Sequence, residues 1–115
     1  MRVSTPEATA IDLVRYARAA GHLGNVATVL AELADKLDPK KLVELARHDT
    51  KTTHIQRLGY LLSLVGARQA AKPLAAWVAE QHPRRVLLRP NARRVTGEED
   101  TRWRVVVNEQ VEVDQ

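Results

Sequence analysis

The arginines between positions 84 and 94 are the side chains whose type and spacing best suit a binding function. This stretch holds five arginines and no acidic residue, in a chain of net charge +4. Guanidinium groups bind phosphate and carboxylate oxygens through paired, charge-assisted hydrogen bonds. The cluster predicts a surface for a phosphate backbone or an acidic partner, with a solvated, solubilising edge as the competing interpretation. The predicted binding residues are Arg84, Arg85, Arg89, Arg93 and Arg94, with Arg57 contributing from a neighbouring helix.

Side chains that could hold a metal ion or act in acid–base catalysis are scattered along the chain. The four histidines form no pair at helical ligand spacing with an acidic neighbour, so the HExxH motif is absent. The carboxylates of residues 98 to 100 are better interpreted as a solvated loop tip than as a cation site. A metal-dependent nuclease built from Asp12, Glu109 or Asp114 has no supporting spacing. We interpret Asp12 as an exposed or ion-paired structural residue.

Motifs for nucleotide binding and nucleophilic catalysis are also missing from the sequence. It contains no GxGxxG fingerprint and no P-loop. Ser63 lies in a helical pattern without the strained elbow of a serine hydrolase, and Ser4 is better explained as a helix cap. We therefore expect no enzymatic activity and no cofactor.

The composition is that of one ordinary domain. The chain has 115 residues, of which 44% are hydrophobic and 28% are charged. Cysteine is absent, which excludes disulfides and thiolate metal sites. Two tryptophans and two tyrosines are too few for a platform that stacks single-stranded nucleic acid. No apolar run approaches the roughly 20 residues that span a bilayer. A soluble cytoplasmic protein without membrane contact is expected.

The stretch from residue 53 to residue 66 predicts the helix around which the other elements pack. Thr53 followed by Gln56 matches a capping box, and Gly66 suits the left-handed residue that ends a helix. The apolar stripe is wide and has helical spacing, which indicates contact with more than one neighbour. Its members are Ile55, Leu58, Leu61, Leu62, Leu64 and Val65.

The first helix can begin in two ways. Either Ser4 caps it and Glu7 closes a capping box, or Thr5 caps it and Pro6 takes the first helical position. Both arrangements satisfy amide groups that would otherwise lack partners, and the sequence does not choose between them.

Capping residues and prolines predict three further helices. Asn25 is predicted to cap the second helix. Asp38 ends that helix and caps the third, with Pro39 in its first position. Pro73 starts or kinks the fifth helix, and His82 ends it before a proline. The first helix, these three and the central one make five short helices.

After residue 83 the pattern becomes that of short strands. Residues 86 to 88 form an apolar run. Further on, Trp103, Val105 and Val107 alternate with Arg104, Val106 and Asn108, which predicts a half-buried strand. A charged connection of residues 91 to 101 joins them, so we expect an antiparallel pair, with residues 1 to 4 as a possible third strand. The predicted class is α+β, with about five helices packed on a small C-terminal antiparallel sheet of two or three strands.

Asn108, Glu109 and Gln110 follow the second predicted strand. A turn is the preferred interpretation, because Asn108 tolerates a left-handed conformation. A polar site at this position would require Arg57 or Arg15 nearby.

Four segments, taken in order, resemble a known family. They are VSTPEATAIDLVRY at 3–16, NVATVLAELADKLDPKKLVELA at 25–46, IQRLGYLLSLVG at 55–66 and RWRVVVNEQVEVD at 102–114. Together they resemble the C-terminal domain of AbiEi-type antitoxins from type IV (AbiE) toxin–antitoxin systems, over nearly the whole chain. The most specific pieces are the helix start at Ser4, the segment QRLGYL, and Trp103 leading to Asn108, none of which is a catalytic motif.

The resemblance implies a non-enzymatic antitoxin whose functional partner is a nucleotidyltransferase-like toxin. A stable complex of the two proteins is not expected, since neutralisation is indirect or acts on a shared target. Such antitoxins carry an N-terminal winged-helix domain and regulate their own transcription in abortive infection. Because the resemblance begins at Val3, we expect a single domain, residues 1–115, without the winged helix. The alternative function is a basic domain that binds nucleic acid directly through its arginines.

Overall fold

The computed structural model describes residues 5–15, 23–49, 52–88 and 97–108. Five helices precede a small sheet, so the predicted α+β class is confirmed. None of the described helices is long and apolar enough to cross a membrane. The elements are α1 (Pro6–Arg15), α2 (Leu23–Leu33) with a short 3-10 turn (Ala34–Lys36), α3 (Pro39–Asp49), α4 (Thr52–Leu64), α5 (Arg68–Gln81), β1 (Val86–Leu87), β2 (Glu98–Asp100) and β3 (Val105–Val107).

Helix α4 is the central element, as its apolar stripe predicts. It packs against α1, α2, α5, β1 and β3. Leu64 is an exception to the predicted stripe, since it is 41% exposed. Gly66 has φ +85°, which confirms the predicted left-handed exit from the helix. The fully buried members of the stripe are Ile55, Leu58, Leu61 and Leu62.

The predicted capping box at the start of α4 is wrong. The helix already includes Thr52, so Thr53 lies inside its first turn. The Gln56 side chain does not return to the helix start, because its amide group donates to carbonyls near the sheet. The Gln56 side chain therefore bonds to a distant part of the chain and not to the first turn of its own helix.

Helix α1 begins with the Thr5 cap, and this choice frees Glu7 for another contact. Thr5 Oγ1 accepts a hydrogen bond from the Ala8 amide at 3.1 Å. Glu7 is 2% exposed, and its carboxylate accepts from the Asp38 amide at 3.0 Å. Asp38 in turn caps α3 as predicted, by accepting from the Lys40 amide at 2.9 Å. The start of α1 is thus tied to the start of α3.

Substituting Glu7 tests this tie between α1 and α3. We expect Glu7→Ala to lower the free energy of unfolding by about 2 kcal/mol, because a hydrogen bond to a charged group is lost at a buried position. Glu7→Gln keeps an acceptor oxygen and should lose about half as much. Urea denaturation measures both, with the exposed Glu32→Ala as the control. Equal stability of Glu7→Ala and Glu32→Ala would contradict the assignment.

The remaining helix boundaries agree with the sequence in part. Helix α2 begins at Leu23, so Asn25 lies in its first turn and is not its cap. Helix α5 begins at Arg68 and contains Pro73, which does not start it. His82 adopts a left-handed conformation, with φ 48°, and ends α5 as predicted.

The sheet is mixed, with strand order β1-β3-β2. Strands β2 and β3 are antiparallel, with Glu99 opposite Val106. Strands β1 and β3 are parallel, with Val86 opposite Val105, so the predicted antiparallel pairing of these two segments is wrong. The reason is that residues 98 to 100, predicted as a loop tip, form β2 and occupy the antiparallel edge of β3. Residues 1 to 4, the predicted third strand, lie outside the described residues.

Strand β3 is also shorter than predicted. Trp103 and Arg104 belong to the turn between β2 and β3, and Arg104 has φ 53°. The alternation nevertheless holds across this boundary, because Trp103 and Val105 are buried and Arg104 is exposed. Trp103 and Val105, together with Leu88 directly after β1, belong to the hydrophobic core.

Candidate cationic binding surface

Helix α4 holds the sheet through two adjacent polar side chains. The Gln56 amide donates to the carbonyls of Arg84 at 2.9 Å and Trp103 at 3.0 Å. Arg57 Nε donates to the carbonyl of Leu87 at 2.9 Å. These bonds fix the segment before β1 and the turn before β3 against the same helix. They also satisfy carbonyl groups that the short strands leave without partners.

Trp103 packs into a gap on α4 that a glycine creates. A Cβ atom at position 59 would overlap the ring of Trp103, so only glycine allows this approach. The ring is 1% exposed, and its Nε1 donates to Ser63 Oγ at 3.1 Å. Gln56, Gly59 and Ser63 follow one another at intervals of three and four residues. One face of α4 therefore receives the whole turn that carries Trp103.

This attachment brings four exposed arginines to one part of the sheet. Arg84 and Arg85 precede β1, while Arg102 and Arg104 flank Trp103. The two segments are adjacent, because the Val86 amide donates to the carbonyl of Arg104 at 2.9 Å. We call these four arginines the cationic surface. Arg102 and Arg104 are absent from the sequence-based prediction, although their alternation around a buried tryptophan would have indicated two exposed side chains.

One of the four arginines has an acidic partner on the neighbouring strand. Arg85 Nε lies 3.3 Å from Glu99 Oε1, with the two side chains 67% and 29% exposed. Ion pairs at this exposure contribute about 0–1 kcal/mol, so Glu99 weakly offsets one charge of the cationic surface. A partner of high charge density can displace such a contact.

The other predicted site residues have different positions. Arg57 is half-buried, and burial lowers the pKa of its guanidinium from the ordinary value. Its bond to Leu87 makes it an anchor for β1, and its contribution to binding stays a prediction. Arg89, Arg93 and Arg94 lie outside the described residues, so their role also stays a prediction.

Asp100 builds the turn on which Trp103 lies. Its Oδ1 accepts from the amides of Arg102 at 3.0 Å and Trp103 at 3.2 Å. Tyr60 on α4 lies near this carboxylate. Burial and, to a lesser extent, the charge of Asp100 raise the pKa of the Tyr60 phenol. The acidic residue of the predicted loop tip is therefore a structural element of the turn.

Two further polar residues have structural contacts. Asp12 is exposed and lies 3.9 Å from Arg15, in agreement with the structural interpretation. Asn108 is buried, and its backbone amide donates to the carbonyl of Val106 at 2.9 Å. Within the described ranges, no three histidines or acidic residues are grouped so that they could hold a metal ion.

The fold and these side chains define a small α+β domain that exposes a cationic surface beside its sheet. Comparison with protein-family models matches residues 1–64 to the AbiEi antitoxin C-terminal domain. The match covers more than half of this chain, so the chain belongs to the AbiEi antitoxin C-terminal domain family. The match includes the QRLGYL segment of α4. Comparisons with curated proteins and with solved structures give no match. Family membership supports the role of an antitoxin whose partner is a toxin.

Proposed function

We propose that this chain is a non-enzymatic antitoxin domain of a type IV toxin–antitoxin system, which counteracts a nucleotidyltransferase-like toxin. The match of residues 1–64 to the antitoxin family carries the proposal. The toxin and antitoxin act in the cytoplasm and form no stable complex, so neutralisation acts on a shared target. A toxin gene of the nucleotidyltransferase type next to the gene for this chain is the corresponding genomic expectation.

The cationic surface is the part of the molecule that we assign to this function. Arg84, Arg85, Arg102 and Arg104 are exposed, and their backbones are held by α4 and by the pairing of β1 with β3. A surface held by a rigid scaffold loses little conformational entropy on binding. Its guanidinium groups suit carboxylate or phosphate oxygens on the target. We include Arg89, Arg93 and Arg94 in the same proposed binding role.

Neutral substitutions at the cationic surface test the assignment. We expect the double variant Arg84→Gln and Arg85→Gln to weaken target binding by at least tenfold, since each charge-assisted hydrogen bond contributes about 1.5–3 kcal/mol. In cells that co-express the toxin, survival should fall accordingly. Lys36→Gln with Lys41→Gln is the matched control, because both lysines are exposed and lie on the helical part. Full rescue by the arginine variant, with its circular dichroism unchanged, would contradict the assignment.

Direct binding of nucleic acid, including operator DNA, is the second candidate function. The observation that favours it is that two arginines on each of two adjacent segments are exposed together. If the four arginines contact four phosphates of a duplex, affinity should fall about a hundredfold between 50 and 200 mM salt. A fluorescence anisotropy titration measures this dependence. Absence of binding at low salt removes the second candidate and leaves the antitoxin role untouched.

A further inference from the structure

A cavity of about 650 Å³ lies between α4, α5 and the turn that carries Trp103. Its described lining consists of three cations, one serine, the tryptophan and two alanines. No carboxylate is among these described lining residues, although acidic residues make up 14 of the 115 residues of the chain. The volume falls in the range of sites that hold ligands of nucleotide size.

The three cations converge on this cavity from two sides. Arg68 and Lys72 are four residues apart on α5, so their side chains lie on the same face of the helix. Arg102 approaches from the turn between β2 and β3. Like charges around one cavity repel one another, and a bound anion would attract all three.

The position of Arg68 at the start of α5 is unfavourable without an anion. The helix begins at Arg68, has no acidic residue in its first turn, and receives no side-chain cap from Ala67. The positive end of a helix favours negative charge nearby and disfavours positive charge. Departures from such local rules are concentrated at functional sites. The placement of Arg68 in the first turn agrees with a site that binds negative charge.

Ser63 adds a neutral donor to the wall of the cavity. Its Oγ accepts the hydrogen bond from Trp103 Nε1 at 3.1 Å, which leaves its own O–H group able to donate to a ligand. Ala75 is half-buried and supplies apolar surface beside it, while Trp103 and Ala71 lie buried beneath the floor of the cavity. A ligand with a charged end and a flatter, less polar body fits this combination.

We propose that this cavity binds a phosphate-bearing small molecule of nucleotide size. Arg68, Lys72 and Arg102 contact the phosphate oxygens, and the Ser63 hydroxyl donates to one of them. The remainder of the ligand lies along Ala75, above the buried Trp103. This inference goes beyond the proposed antitoxin function, because it gives the chain a ligand of its own in the absence of any toxin.

The two tryptophans make the test direct. Tripolyphosphate, ATP and adenosine are titrated separately into the purified full chain at low salt, and the indole N–H signals are followed by NMR. The signal of Trp103 should shift with tripolyphosphate and with ATP, because its hydrogen-bond partner Ser63 contacts the ligand. Trp77 lines a different groove, between α3 and α5, and its signal should stay in place. Tighter binding of ATP than of tripolyphosphate identifies a nucleotide, and equal binding identifies the polyphosphate chain alone.

Single substitutions then locate the ligand. Lys72→Gln and Arg102→Gln should each weaken binding about tenfold, the effect of losing one charge-assisted hydrogen bond. Lys36→Gln and Lys41→Gln remove exposed cations on the helical part, away from the cavity, and should leave the affinity unchanged. The proposal is overturned if millimolar tripolyphosphate and ATP leave the Trp103 signal in place. It is equally overturned if the control variants weaken binding as much, or if only a single-stranded oligonucleotide binds.

Discussion

Replacing Gly59 with alanine should lower the free energy of unfolding by about 2–3 kcal/mol, the effect of overpacking a filled core. Helix propensity alone predicts the opposite sign, since alanine in a helix interior is about 1 kcal/mol more favourable than glycine. The loss arises because the new methyl group would overlap the Trp103 ring. That ring is buried and held by its bond to Ser63, so it cannot move aside without a further loss. Urea denaturation of both proteins measures the difference.

The same substitution in a smaller-ring background provides the control. In a Trp103→Leu protein the side chain at 103 no longer fills the gap on α4. Gly59→Ala should then be neutral or should raise the free energy of unfolding by up to about 1 kcal/mol, as helix propensity predicts. The change of sign between the two backgrounds measures the coupling of the two sites. A stabilising effect of Gly59→Ala in the natural background would disprove the packing that we describe.

Replacing Gln56 with glutamate should cost about 3–5 kcal/mol at neutral pH, as expected for an uncompensated buried charge. The introduced carboxylate would face the three carbonyl oxygens that now accept from the side-chain amide of Gln56. Burial and these carbonyl dipoles would raise its folded-state pKa above the ordinary value. The protonated form can donate one hydrogen bond, so the loss should be smaller at acidic pH.

The sign of the pH dependence follows from this raised pKa. The folded variant binds a proton more tightly than its unfolded chain does, so the deficit relative to the natural protein grows as pH rises. The growth should be about 1.4 kcal/mol per pH unit between the ordinary and the raised pKa. Gln56→Met is the control. It removes the amide donors together with Oε1, which accepts no hydrogen bond from the described residues. Its loss of unfolding free energy should not vary with pH. A deficit of the glutamate variant that is constant from pH 4.5 to pH 7 would refute the assignment.

Local patterns predicted the helical part of the fold well. The apolar stripe of α4, the left-handed Gly66 and the Asp38 cap before Pro39 all depend on residues a few positions apart. Such signals are contained in a short window of sequence, because helix geometry fixes which neighbours meet.

Contacts between distant segments were not predictable in the same way. Gln56 near a threonine matches a cap, yet its partner at Trp103 is 47 residues away. Glu7 likewise matches a capping box, while its amide partner at Asp38 is 31 residues away. Residues 98 to 100 are too acidic to resemble a strand, and they become one because β3 offers them a free edge. For side chains that can hydrogen-bond either locally or at long range, the local sequence pattern does not predict which partner they bind.

The cationic surface was predicted only in part for a related reason. Arg84 and Arg85 are predictable from the sequence because they are consecutive and close to other arginines. Arg102 and Arg104 join them through the parallel pairing of β1 with β3, which the sequence did not indicate. The cavity beside α5 depends equally on the position of the Trp103 turn, so the sequence alone does not group its three cations.

The contact of Trp103 with α4 also has a consequence for the order of folding. Ser63 and the tryptophan that it binds are 40 residues apart, whereas contacts within and between successive helices close much shorter loops. Closing a long loop costs more chain entropy before any contact compensates for it. We therefore expect α3, α4 and α5 to pack together first and the small sheet to dock later, with the indole as the final side chain to lose its water.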